Sequence, residues 1–500
     1  MSAYRFRTRP YRHQYQAVKF CLSKFRQGEN PALLMEPRTG KTKVSIDVVG
    51  CLFQQRQLRK VLIVCPNRVM GTWAREIHTH FPFMGHIHIW DAKARKLPIP
   101  DRQGDVQFLV VNFEAFSTPG RRTASGRRSK TSGRHKVKTQ LTTWLGGDEA
   151  LAIVDESHKI KSPSGKASAM IVSLRDQFQY RMILTGTPIT KAKRIHDVYM
   201  QWKFLNPHRF DNVGRTVEAF RNATGRWISA NGFPQWIGPR EAGVAKVQQG
   251  LHEDAFIVTR EDCFDLPPRD VRLVSVPLKE SAKYYDEMAE TMITQIKEGV
   301  IAEASIALVV ALRLMQITSG HVGVERAVGG KSKTVSYRVG REKLDALKEI
   351  LVEEVIDQEQ KVVIAARFVP DLNMIASLCR ELKIPNWAIR GGVKRQETDD
   401  AIQAFKLHTD GPGAMIIQPA AASLGIDLST ANHMIWYSLT QSWVDYTQAC
   451  DRIALSKRST LFTYLQCPDT VDAVVYDSLV LDGEVAKAIL ARPECLRRTS

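Results

Sequence analysis

Three residues in direct succession, Gly40-Lys41-Thr42, stand between a short apolar run and a segment with helical spacing. These types suit triphosphate chemistry: a tight turn aims backbone N–H groups at the phosphates, a lysine neutralises their oxygens, and a hydroxyl holds magnesium. With Arg38 and Thr39 before them, they give a candidate phosphate loop of Arg38, Thr39, Gly40, Lys41 and Thr42. The pattern also calls for a glycine where Met35 stands, so on its own it fits an ordinary turn before a helix as well. A second constellation is Leu151-Ala152-Ile153-Val154-Asp155-Glu156-Ser157-His158, an apolar run ending in two adjacent acids. A carboxylate at the C-terminal end of a strand lies where open α/β sheets bind their ligands. Asp155 is then placed to hold magnesium alongside Thr42, and Glu156 to orient or deprotonate an attacking water. The alternative is a strand closed by a polar turn.

Positioning such residues takes a sheet, and the chain has the pattern for two. Short β-branched runs recur at Val61 to Cys65, Phe108 to Val111, Leu151 to Val154 and Met182 to Leu184, separated by segments of helical spacing. The texture returns at Val362 to Ala365, Met415 to Ile417, His433 to Trp436 and Leu461 to Leu465. Alternation of this kind indicates parallel sheets covered by helices. The expected fold class is therefore α/β, with two tandem parallel-sheet lobes. The expected boundaries are a first lobe over 1–200, a mainly helical insertion over 201–340, a second lobe over 341–485 and a tail over 486–500. Helical spacing at Glu280 to Glu298 and Ile301 to Ile317 supports the insertion.

A chain of 500 residues exceeds what one core serves, and 71 Lys and Arg against 52 Asp and Glu give a formal charge of +19. That balance favours a polyanion, with nucleic acid as the leading partner. The stretch 119–138 sets Arg121, Arg122, Arg127, Arg128, Lys130 and Arg134 among Gly, Ser and Thr, and reads as a mobile basic loop. It is either a grip on a phosphate backbone or a solvated surface segment. Eight cysteines are scattered without a C-x-x-C pair, which suits reduced thiols. Met1 to Pro10 lacks the apolar region of a signal peptide, and the longest apolar run, Ala304 to Leu312, falls short of the roughly 20 residues a bilayer needs. No membrane is expected, and the compartment is expected to be cytoplasmic. His78, His80, His86 and His88 are close together but lack the cysteines or carboxylates of a zinc site. Trp202, Trp227 and Trp236 suit core packing more than base stacking.

Taken in order, these segments resemble the Swi/Snf-type branch of superfamily 2 helicases and DNA-dependent ATPases. Arg9-Pro10-Tyr11-Arg12-His13-Gln14 resembles its adenine-reading segment, which makes Gln14 the expected base contact. Val61 to Pro66 with Trp73 and Glu76, and Phe108 to Phe116, resemble its strand-facing motifs. Asp155-Glu156-Ser157-His158 resembles the acidic box, and Leu184-Thr185-Gly186-Thr187-Pro188 the motif that couples hydrolysis to movement. Phe256 to Arg260 before Leu266-Pro267-Pro268, and Leu312 to Ile317, are similar to stretches that mark this branch. In the second lobe, Lys361 to Phe368 resembles the opening strand, and Ser423 to Leu428 the segment that faces nucleotide, with Gly425 and Asp427. Gln448 to Arg452 resembles the first half of the arginine-finger motif. The chain departs from the family at Arg38, where a glycine is usual, and at Leu455, where a second arginine is usual.

The resemblance implies two RecA-like lobes that close on MgATP, with Lys41, Asp155, Glu156 and Arg452 as catalytic groups. It implies ATP and Mg2+ as cofactors and duplex DNA, bound largely without sequence preference, as partner. The expected activity is ATP-driven translocation in replication, repair or recombination. A strand-separating or annealing helicase is the alternative within the class, and a nucleotide-gated DNA-binding module with little turnover, motivated by Leu455, is the alternative outside it. The compact form resembles motors of bacteria or their viruses, so the expected setting is a bacterial or virus-infected cytoplasm.

Overall fold

The computed structural model describes residues 4–91, 105–117, 133–189, 195–230, 233–263, 268–297, 304–328, 331–424, 426–454, 456 and 458–480. The chain divides into two compact units, Met1–Asp265 and Leu266–Ser500.

The first unit is built on a seven-stranded sheet. Its strands are β1 (Ala32–Met35), β2 (Lys60–Cys65), β3 (Gly85–Ile89), β4 (Val106–Asn112), β5 (Ala150–Asp155), β6 (Tyr180–Leu184) and β9 (Ala255–Val258), in the order β3-β4-β2-β5-β6-β1-β9. Every pairing is parallel. β2 and β4 are buried along their whole length, as strands covered on both faces must be. Successive residues serve opposite faces. Leu33 and Met35 pack with Val44, Val48 and Trp73, while Ala32 and Leu34 pack with Leu141, Val198 and Trp202. A two-stranded ribbon of β7 (Gly225–Ala230) and β8 (Phe233–Pro239) completes the unit.

The second unit repeats the plan with six parallel strands. They are β10 (Arg269–Ser275), β13 (Lys361–Ala365), β14 (Asn386–Ile389), β15 (Gly413–Ile417), β16 (His433–Trp436) and β17 (Thr460–Gln466), in the order β10-β17-β16-β13-β15-β14. A ribbon of β11 (His321–Val328) and β12 (Lys331–Arg338) stands apart from that sheet. The expected α/β class with two tandem parallel sheets is what the structure shows.

The middle of the chain differs from expectation. Residues 201–340 do not form a mainly helical insertion of their own: β9 joins the first sheet beside β1, and β10 joins the second beside β17. The helices Ala282–Lys297 and Ala304–Thr318 bury Tyr285, Ile293, Val310 and Leu314 in the core of the second unit. Both strands lie at a sheet edge, which weakens their sequence signal. β9 has four residues, and on β10 the apolar Val271 and Leu273 are 54% and 50% exposed. The basic stretch 119–138 also ends sooner than expected. A helix, Gly133–Leu145, begins inside it, because Val137, Leu141, Trp144 and Leu145 fall on one helical face and are buried. Among the described residues no helix is long and apolar enough to cross a membrane, and the seven cysteines described are free.

Candidate nucleotide site

β1 runs directly into the phosphate loop. Gly40 adopts φ +91° and caps the helix Lys41–Gln54, so the unpaired N–H groups of that helix open onto the loop. The position admits only glycine: a Cβ there would lie 2.2 Å from Gln14 Nε2. Gln14 is held at both ends, accepting from the Tyr11 N–H at 3.0 Å and donating to the Thr39 carbonyl at 3.2 Å. His13 Nε2 donates to the same carbonyl at 2.8 Å. The segment Tyr11 to Gln14 is thus fastened to the loop. The Lys41 ammonium lies over the start of the loop, donating to the carbonyls of Met35 at 2.6 Å and Glu36 at 3.1 Å. Arg38 takes φ +70°, a left-handed conformation that an L side chain disfavours, which accounts for the glycine usual at this position.

The acidic residues end β5, and the strand order β5-β6-β1 sets a single strand between them and the phosphate loop. Thr185 to Pro188, which follow β6, fill that interval. A Cβ on Gly186 would approach Pro37 Cδ to 2.8 Å, and Thr185 Oγ1 lies 3.3 Å from His158 Nδ1. Three segments far apart in sequence therefore meet at the C-terminal edge of one sheet, as expected of a ligand site.

Asp155 is held from two sides, by the Trp73 Nε1–H at 2.9 Å and the Glu156 N–H at 2.9 Å. Burial, and then the charge of Glu156, raise its pKa to about 6, against the two hydrogen bonds and the nearby Lys41 ammonium. Burial also acts to raise Glu156, but His158, 3.3 Å away, with Lys41 and Lys159, outweighs it, and that carboxyl is lowered. Glu156 is therefore kept ionised, as a base needs, at φ +53°. The residues suit magnesium. Asp155 and the Thr42 hydroxyl offer hard oxygen ligands, and a divalent cation relieves the crowding of charge that raises Asp155.

By its motif Trp73 belongs among strand-facing residues, whereas it is 1% exposed and supports Asp155. Two further contributors carried no motif signal. Glu36 binds the N–H and Nε–H of Arg260, both at 3.1 Å, tying the loop to the end of β9. Gln201 accepts from the Ser157 hydroxyl at 2.6 Å and donates to the Pro188 carbonyl at 2.7 Å.

The second unit holds the other residues expected from the sequence. Arg452 is 5% exposed, and its guanidinium donates to the carbonyls of Gln448 at 2.7 Å and Ile426 at 3.1 Å. Asp427 accepts from Ser429 N at 3.2 Å and lies 3.3 Å from Lys406 Nζ. Gly425, Leu455 and the expected nucleic-acid contacts Arg121, Arg122, Arg127, Arg128 and Lys130 lie outside the described residues, as does the side chain of Arg134. Among the described residues no three His, Cys, Asp or Glu gather as a metal site; His80 pairs with Glu76 and His86 with Asp105.

Known proteins resemble this chain over most of its length. Residues 13–320 match the model of the SNF2-related domain, and residues 342–455 that of the helicase conserved C-terminal domain. A probable chromatin-remodeling complex ATPase chain of Oryza sativa subsp. japonica is 22% identical, over 95% of this chain and 40% of its own length. The human SWI/SNF-related matrix-associated actin-dependent regulator of chromatin subfamily A member 1 is 20% identical, over 88% of this chain and 39% of its own. This chain thus spans two-fifths or less of these relatives. Among solved structures, the Sulfolobus solfataricus SWI2/SNF2 ATPase core in complex with dsDNA is similar at 19% identity and a TM-score of 0.43, covering 99% of this chain and 96% of that one.

Proposed function

The chain belongs to the SNF2-related family of helicase-like ATPases, and from that premise we propose that it is a motor that hydrolyses ATP and moves on duplex DNA. The observation that carries this reading is the meeting of Lys41, Thr185 to Pro188 and Asp155-Glu156 at the edge of one sheet. An incoming phosphate oxygen competes with the carbonyls of Met35 and Glu36 for the Lys41 ammonium, while the N–H groups after Gly40 receive its charge. Gln14, fastened beside the loop, is available to the adenine. Thr42 and Asp155 would hold Mg2+, which when bound neutralises charge on the phosphates. Glu156, ionised and turned by its left-handed backbone, orients the attacking water and accepts its proton. The His158–Thr185 contact lies where the acidic turn meets the third segment, the route by which the reaction is felt beyond the site.

Duplex DNA as track is supported by the charge of +19, which suits a polyanion, and by relatives whose names place them on chromatin. Service in replication, repair or recombination is part of this proposal. ATP turnover measured alone and with duplex DNA, single-stranded DNA and RNA tests it, in the wild type and in Glu156→Gln. The expected result is strongest stimulation by duplex and none in the variant. Equal turnover with and without every nucleic acid would sink the motor reading. Strong unwinding of a plain duplex would favour the strand-separating alternative.

A further inference from the structure

Beside the acidic turn, and separate from the phosphate loop, the first unit contains a cavity of about 160 Å3, lined among others by Lys161, Ser162, His196, Asp197, Tyr199 and Arg221. Cavities that hold whole small molecules run to roughly 300–1,000 Å3, so this one suits a single small group. Lys161 and Arg221 bring two cations to its lining against the one carboxylate of Asp197, a balance that selects an anion.

Each wall is positioned by local structure. Lys161 directly follows the turn Ser157–Ile160, and its Nζ lies 3.7 Å from Asp197 Oδ2, a loose pair whose lysine side chain is 37% exposed. Arg221 sits on the helix Val217–Thr224, which Thr216 caps by accepting from Ala219 N at 3.1 Å. Its guanidinium lies 5.7 Å from the Trp227 ring centroid, and the Trp227 Nε1–H donates to the Arg221 carbonyl at 3.0 Å. His196 packs on the same indole, with ring centroids 5.8 Å apart. Trp227 thus neither fills the core nor offers a free stacking face; it positions Arg221 and His196.

Asp197 makes the cavity more than a basic surface dimple. Its backbone carbonyl accepts from Gln201 Nε2 at 3.0 Å, and Gln201 also holds the buried Ser157 hydroxyl and the Pro188 carbonyl. The residue paired with Lys161 is therefore one hydrogen bond from the side chain that joins the acidic turn to the segment after β6.

We infer that this cavity is a phosphate site for the backbone of the nucleic-acid track, and that its occupant draws Lys161 away from Asp197 and is felt at the acidic turn through Gln201. A phosphodiester offers Lys161 a better partner than a carboxylate 3.7 Å off, and Arg221 gives it a second point of attachment. The site rests on the duplex-DNA reading above and gives that reading a point of contact from which DNA can stimulate turnover.

The test uses the full chain with Arg221→Glu, Lys161→Gln and Arg221→Lys. DNA-free turnover, maximal duplex-stimulated turnover and the salt dependence of duplex affinity are measured for each. Arg221→Glu and Lys161→Gln are expected to keep DNA-free turnover, which also shows that they fold, and to lose about tenfold in stimulated turnover. The slope of log affinity against log salt should fall by about 0.9 for each contact removed, and Arg221→Lys should restore most of both. Wild-type slope and stimulation in both variants would overturn the site. Weakened affinity with full maximal stimulation would overturn the link through Gln201. Millimolar inorganic phosphate is expected to leave DNA-free turnover unchanged; stimulation by phosphate alone would overturn the assignment to a nucleic-acid backbone. A wild type that no nucleic acid stimulates would fail the duplex reading itself, an outcome distinct from these.

Discussion

The two units present their site residues in opposite ways. In the first, Lys41 stands at a helix start and Asp155 and Glu156 at a strand end, and their partners are groups that a ligand replaces or leaves in place: two backbone carbonyls, an indole N–H and a histidine. In the second, Arg452 is packed inside its own unit with two backbone carbonyls as acceptors. One half is prepared for substrate, while the other holds its arginine as a strut. Rate and stability should therefore be separable in the first unit and joined in the second.

The largest expected effect tests that separation. Lys41→Ala and Glu156→Gln should each lower ATP turnover by about two to four orders of magnitude, with little change in melting temperature. A large loss of stability in either would show that the first site is as structural as the second. Arg452→Ala should lower turnover and stability together, because it leaves the carbonyls of Gln448 and Ile426 without their charged donor; a cost of about 2–4 kcal/mol is expected. Denaturant unfolding beside turnover measures both. An Arg452→Ala protein with wild-type stability would break the comparison.

A third expectation concerns the interior of the second unit. Asp371 is fully buried, accepts from the Ser438 hydroxyl at 2.6 Å and lies 3.2 Å from His321. Burial, against that hydrogen bond and the charge of Lys343, raises its pKa to about 7. The folded state then keeps a proton that the unfolded chain gives up near pH 4. Asp371 alone contributes stability that falls as pH rises between about 4 and 7, by an amount on the order of a few kcal/mol, while His321 and His433, each lowered to about 4 by burial, contribute in the opposite direction between about 4 and 6.5. Asp371→Asn should therefore leave stability rising more steeply with pH over this range than in the wild type. Unfolding free energies at several pH values decide it, and an unchanged slope would remove Asp371 as a contributor.

How much of this was legible in the sequence depends on where the signal lay. Buried parallel strands announced themselves as apolar runs, and β2, β4, β5, β13, β15 and β16 stand close to where those runs predict. Residues whose chemistry requires a fixed neighbour in the chain, such as Gly40-Lys41-Thr42 and Asp155-Glu156, were equally visible. What stayed hidden was support from a distance. Trp73 and Asp155 are brought together only by the fold, as are Gln201 and Ser157 or Glu36 and Arg260, and no local spacing encodes such pairs. Edge strands were missed for a related reason: β10 has two of its three apolar residues, Val271 and Leu273, exposed to water, and its alternation resembles that of a surface segment. The burial of Arg452 was hidden as well, since a motif names a residue type and not the direction its side chain takes.

The smallest effect lies in the loop where the chain departs from its family. At φ +70° Arg38 carries a backbone cost on the order of 1 kcal/mol that a glycine would not. Glycine in turn makes the unfolded chain more flexible, which takes back part of the gain. Arg38→Gly is therefore expected to raise the melting temperature by only about 1–3 °C. Its effect on ATP is expected to be opposite in sign: removing a cation from a loop built for phosphates should raise KM for ATP a few-fold, leaving kcat near wild type. A gain in stability with no change in KM would make Arg38 a tolerated strain with no part in binding. A rise in KM joined to a loss of stability would instead show its side chain holding the loop together, and the separation of rate from stability claimed for the first unit would fail at this residue.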